Sequence, residues 1–356
     1  MALTVVVVVA VAVAAAVVIA TRGDSGDSTS ACGLDTQITE KLPEGDVRLL
    51  PFAADSVWRQ PIGDTAEPAE AGTSPQTEAL RVGSEVDSSD STDSWINAEQ
   101  YSLPVVQADA CDPLVTFDVE SGTDDLGDTP VRIPDDARPA EGTDSHLLVL
   151  QPDHRTVVEM WTAEHTGPGQ WKAGRVEVVD LHGSGIGPDN GVRAYGGSAL
   201  GGLIRTWEID PADPNYTDGV IRHPLAMALP SSMLSYTGGD PGYDADGYGT
   251  ALGYVAPATE QDYDSAWTYG GPIPMGSRIV LPRDVDLDSL DLTPEQRAIA
   301  QALQDYGAYV TDRTSDGTVA YYAEPTAPKP WLDVVRGPDD TGDGLDRIRA
   351  RLVVLP

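Results

Sequence analysis

The stretch "HLLVLQPDHRTVVEMWTAEH", residues 146–165, decides the fold. It holds two apolar runs, HLLVLQP and RTVVEMW, each only a few residues long and separated by Pro152 and Asp153. Runs of that length, rich in Val, Leu, Met and Trp and bounded by turn formers, read as strands rather than amphipathic helices. The pattern continues outward in "YSLPVVQA" (101–108), "PLVTFDVE" (113–120), "RVEVVDL" (175–181), "GGLIRTWEID" (201–210), "GVIRHPLAMALP" (219–230) and "SRIVLP" (277–282). One segment breaks the rule: "LTPEQRAIAQALQDYG" predicts a helix over about 293–306. Thr293 serves as N-cap, Pro294 takes the first helical position, Gly307 stops the helix, and Ile299, Ala302, Leu303 and Tyr306 form its apolar face. After it, "AYVTDR" (308–313) and "TVAYYAEP" (318–325) flank "TSDG" and read as a hairpin. The absence of an internal repeat disfavours a β-propeller. Residues 46–356 are therefore expected to form one all-β, jelly-roll-like sandwich carrying a single helix, with an acidic loop or insertion at about 63–93.

Residues 2–20 are apolar apart from Thr4, which predicts a signal peptide or an N-terminal membrane anchor. No Lys or Arg precedes this run, and Arg22 follows it, so charge does not choose between the two. Residues 21–45 read as a flexible acidic linker. Either reading of the N-terminus places the rest outside the cell or at its surface, and contact with a membrane through residues 2–20 requires that they stay uncleaved. The only cysteines, Cys32 and Cys111, are then most simply a disulfide. A net charge of −35 excludes nucleic acid as a partner and reads as a halophilic, salt-screened surface, with cation binding or attachment to a cell wall as the alternative.

Strand alternation sets a few polar residues among apolar ones: Asp144 and His146 with Leu148 and Leu150, Glu159 with Val157 and Trp161, Arg205 with Leu203 and Trp207, and His223 with Ile221 and Leu225. Unpaired burial of charge is costly, so these positions either pair inside the sandwich or line a groove on one sheet. A groove suits carbohydrate. Sugar rings stack on Trp and Tyr, which number 7 and 13 here against 2 Phe, while hydroxyls bond to Asp, Asn, Glu and Arg.

Several stretches together, "DSVWRQPIG" (55–63), "SWINAEQYSLPV" (94–105), "EGTDSHLLVLQP" (141–152), "VVEMWTAEHTGPGQWKA" (157–173), "GGLIRTWEID" with "GVIRHPLAMALP", "IPMGSRIVL" (273–281) and "ALQDYGAYVTDR" (302–313), resemble a family of secreted actinobacterial β-sandwich proteins. That family shows a D-x-H-L-V-V strand, an E-x-W strand, a G-L-I-R element and an I-x-H-A-L strand in this order, and it brings no established activity. The resemblance falls on Trp58, Trp95, Asn97, Asp144, His146, Glu159, Trp161, Arg205, Glu208, His223 and the pair Tyr306 and Gly307. Pro224 stands where the family has Ala, which implies an irregular strand beside His223.

Three chemistries could use His223, His146, Glu159, Asp144, Arg205 and Glu208, with Trp161, Trp95, Asn97 and Trp58 binding substrate. Glu159 with Glu208 or Asp144 could hydrolyse a glycosidic bond. Arg205 with His146 or His223 could run a β-elimination on a uronic-acid polymer. His146, His223 and a carboxylate could hold a metal, although no complete metal motif or other cofactor motif is present. The expectation is an exported carbohydrate-active protein, a hydrolase or lyase acting on polysaccharide or cell-wall glycan. The alternative is a non-catalytic glycan-binding or envelope protein in which the same residues form an internal network.

Overall fold

The computed structural model describes residues 37–63, 74–82, 93–119, 130–187, 191–236, 253–314, 317–326 and 344–355. The chain is mostly β: among these residues thirteen strands form three sheets, accompanied by five helices. The six-stranded sheet runs β1 (Asp93–Asn97), β12 (Thr318–Tyr322), β9 (Leu225–Pro230), β11 (Ala308–Thr314), β10 (Arg278–Val280) and β13 (Val353–Val354). The four-stranded sheet is β2 (Val105–Gln107), β4 (Leu147–Leu150), β5 (Thr156–Trp161) and β8 (Arg175–Asp180). The three-stranded sheet is β3 (Thr116–Val119), β7 (Gln170–Ala173) and β6 (Glu164–Gly167). An all-β sandwich is what the short apolar runs require, because a sheet's apolar face must be covered by another layer.

The four-stranded sheet is the middle layer. Leu148 and Leu150 of β4 and Val157 of β5 join the large core shared with β9, β11 and β12. Their neighbours Leu147, Val149, Val158 and Met160 join a second core with Trp171 and Ala173 of β7. With both faces covered, all four residues of β4 are buried, which is why the sequence shows a continuous apolar run there instead of alternation. On the far face of the six-stranded sheet sit α4 (Pro294–Asp305) and α5 (Gly344–Arg349). Ser94 of β1 bonds Asp346 and Arg349 of α5, so Trp95 and Asn97 turn to the opposite face.

The helix expected near 293–306 is α4, closed by a capping box between Thr293 and Gln296. The other helices are α1 (Pro75–Arg81), α2 (Thr206–Ile209), α3 (Ser265–Thr268) and α5. The segment read as an acidic loop thus contains α1, capped by Ser74 and anchored by fully buried Leu80. Three further readings are corrected. β11 and β12 form no hairpin, because β9 lies between them and pairs with both. "GGLIRTWEID" is no strand: Arg205 caps α2, and its N–H is taken by the Glu208 carboxylate. β9 begins at Leu225, so His223 lies in the preceding loop and not within an alternating strand.

Residues 37–45, read as linker, are held to the body: Asn215 accepts from the Leu42 N–H at 2.8 Å and donates to the Glu40 carbonyl at 3.0 Å. The apolar run 2–20 and Cys32, with its proposed bridge to Cys111, lie outside the described residues. Among the described residues no helix is long and apolar enough to cross a membrane.

Candidate functional site

A cleft of about 1520 Å³ opens where the six-stranded sheet meets the ends of the four-stranded one. Its floor comes from Trp95 and Asn97 of β1, Asp312 of β11, and Ala320 and Tyr322 of β12. Its walls are Asp144 and His146 leading into β4, Trp161 ending β5, Arg175 opening β8, and the loops carrying Tyr101, Arg193, Glu260, Asp262 and Tyr263.

Local backbone chemistry places these groups. Asp144 is tied beside Trp161 because its carbonyl accepts from Thr162 N–H at 2.7 Å, while Ser145 accepts from Ala163 N–H at 3.0 Å. Trp161 lies across Gly174, where a Cβ would meet its ring at 2.7 Å. Arg193 belongs to a tight loop that opens at Gly191, whose φ of +147° and 2.1 Å approach to Gly197 admit no side chain. That loop is fastened from below by Glu159. Its carboxylate, fully buried on β5, accepts from the N–H groups of Val192, Ala199 and Leu200 and from the Ser198 hydroxyl. Burial pushes the Glu159 carboxyl up, and these donors hold it back.

At the floor, Arg193 is 2 % exposed, pairs with Asp312 at 3.1 Å, donates to the Thr311 hydroxyl and stacks 3.8 Å over the Tyr322 ring. A bulge at Thr311 disturbs the pairing of β11 with β9 just before Asp312, the kind of irregularity that re-aims a side chain. Burial raises the Asp312 carboxyl to about 6; Arg193 opposes this, and Asp262 and Asp144 add to it. His146 is 4 % exposed and makes no hydrogen bond through Nδ1 among the described residues. Burial, helped by Arg193, pushes its value down to about 3, so the ring is neutral at pH 7.

Of the ten residues singled out in the sequence, five line the cleft: Asp144, His146, Trp161, Trp95 and Asn97. Glu159 supports it from beneath. Trp58 packs edge-on against Tyr195 and Tyr309 in the core, 2 % exposed, and does not reach the cleft.

Arg205, Glu208 and His223 form a separate buried network. Arg205 pairs with Glu324 at 2.7 Å and donates to the Arg48 carbonyl, and Glu324 also accepts from Thr206 N–H. Glu208 Oε2 faces His223 Nε2 at 3.1 Å, and the other ring nitrogen of His223 bonds the Pro224 carbonyl at 2.8 Å. Burial works against a charged His223, but Glu208 and these hydrogen bonds outweigh it and hold its value above the ordinary one. One groove therefore does not gather all six polar residues, because α2 turns Arg205 and Glu208 into an internal network. No group of three or more metal-ligating side chains occurs among the described residues.

The sequence reading missed Arg193, Asp312, Tyr322, Arg175, Glu260, Asp262 and Tyr263. "GVRAYGG" (191–197) carries no periodicity to mark Arg193, whereas Asp312 was visible as a lone charge inside the "AYVTDR" strand. No family model, no curated protein and no solved structure matches this chain.

Proposed function

We propose that this is a carbohydrate-active protein that binds a glycan chain in the cleft over the six-stranded sheet. One observation carries the reading: four aromatic side chains are strongly exposed among the described residues, Tyr101, Trp161, Tyr263 and Trp267, and the first three line this cleft. Exposed rings with a polar edge, standing over a floor of Asp, Asn, His and Arg, match the amphipathic faces of sugars, which offer C–H to a ring and hydroxyls to hydrogen-bonding groups. Trp267, on α3, lies four residues beyond Tyr263 and extends the same aromatic segment.

Among the three chemistries, the residues favour hydrolysis. Elimination needs a cation for the uronate, and Arg205 lies in the internal network, committed to Glu324. Hydrolysis needs one carboxyl that keeps its proton near neutrality and a second that stays ionised. Asp312, raised by burial, fits the acid, and Asp144, whose charge contributes to that shift, fits its partner. The family resemblance and the apolar run 2–20 support an exported location.

The test is a screen of the purified chain against soluble polysaccharides for binding and for new reducing ends. Hydrolysis abolished in Asp312→Asn and Asp144→Asn supports the full reading. Binding without products supports a non-catalytic glycan-binding protein, a role compatible with the hold of Arg193 on Asp312. Absence of binding to any glycan overturns the proposal.

A further inference from the structure

We infer that the cleft selects glycans carrying free amino groups, that is amino-sugar polymers, and rejects uronic-acid polymers; this rests on the glycan reading above. The inference follows from charge pairing inside the cleft. Its cations among the described residues are three arginines, and each is already neutralised. Arg175 meets Glu177 at 2.9 Å and Glu260 at 3.4 Å, Arg193 meets Asp312 at 3.1 Å, and Arg313 meets Asp264 at 2.7 Å and Asp262 at 3.6 Å. Glu99 and Asp144 also line the cleft, and neither has an arginine, lysine or histidine partner among the described residues. The stretches 83–92, 188–190, 237–252 and 315–316, which interrupt the described chain, contain no lysine or arginine.

Carboxylates alone would mark only a solvated acidic surface. Here they stand in a cleft with three exposed aromatic rings, and His146, buried and without a partner at Nδ1, lines the same space. That imidazole is neutral, so it supplies a hydrogen-bonding edge and no positive charge. A uronate entering this cleft would lose water from its carboxylate and find no unpaired cation to replace it. An ammonium on a sugar ring would find Asp144 and Glu99 available, and the net charge of −35 would draw it in.

The experiment compares three hexasaccharides by titration calorimetry with the purified chain at low salt: β-1,4-glucosamine, its N-acetylated form, and galacturonate. The glucosamine hexamer is expected to bind at least about tenfold more tightly than the galacturonate hexamer, a preference that fades in 0.5 M salt as screening sets in. In Glu99→Gln and Asp144→Asn the ratio of glucosamine to N-acetylglucosamine affinity should fall severalfold, and the wild-type ligand series stands as a test even if a variant fails to fold. Equal or tighter binding of galacturonate overturns the inference. So does equal binding of the two glucosamine forms, which would leave the glycan reading standing. Failure of all three to bind, together with the wider polysaccharide screen, removes the glycan reading itself.

Discussion

The cleft and the Arg205 network are built from the same kinds of residue, and they differ in whether the polar groups find partners within the protein. In the network, Arg205 engages Glu324 and the Arg48 carbonyl, and both ring nitrogens of His223 face acceptors. In the cleft, His146 lacks a partner at Nδ1, Arg193 lacks a hydrogen bond at Nη1, and Asp144 and Glu99 have no ion pair among the described residues. A closed network holds the fold together. An open one leaves hydrogen-bonding capacity for a ligand, at a cost to stability.

That contrast breaks first, and with the largest effect, at Arg205. Arg205→Ala leaves the Glu324 carboxylate buried without its charge partner, and denaturant unfolding should show a loss of about 3–5 kcal/mol. Glycan affinity of the protein that remains folded should not change, and a parallel loss of affinity would mean that the two regions are not separate. Glu159→Gln sits between them. Removing an acceptor from under the Arg193 loop should cost about 1–3 kcal/mol and also weaken glycan binding, since that loop forms part of the cleft.

The two histidines sharpen the comparison through pH. His223, held above 6.5, contributes stability that is fully present below that value and is lost as pH rises through its folded value. His146, depressed to about 3, behaves oppositely: the unfolded chain takes up a proton below 6.5 that the folded chain refuses, so stability falls as pH drops from 6.5 towards 3. Melting temperatures across pH should show His223→Gln flattening the alkaline side of the profile and His146→Gln flattening the acid side. A single histidine controlling both sides would contradict the assignment. The smallest effect on stability belongs to the exposed rings. Trp161→Ala and Tyr263→Ala should each lower glycan affinity about fivefold while leaving unfolding within about 0.5 kcal/mol of wild type. Unchanged affinity in both would move the binding surface elsewhere.

Much of the frame was legible. The strands β4, β5, β8, β9 and β10 coincide with short apolar runs between turn formers, and α4 announced itself through Thr293, Pro294 and an i, i+3, i+4 stripe. Asp144, His146 and Trp161 were reachable because each stands at or beside a strand end in apolar company. Arg205 and His223 were misplaced for one reason: alternation was applied to stretches that fold as a helical turn and a loop, where period-two logic does not hold. Arg193 and Tyr322 meet only because a loop pinned by Glu159 is brought over β12.

The sequence by itself determined the layered β architecture, the long helix, the strongly acidic character and an abundance of aromatic rings with polar edges. These follow from local period, capping chemistry and composition, which act over a few residues at a time. Tertiary structure decided which polar residues share a space: the bulge before Asp312, the insertion of β9 between β11 and β12, and the clasp of Glu159 on residues 192–200. Each is a contact between segments distant in sequence, set by which backbone and side-chain groups remain to be satisfied once the layers pack.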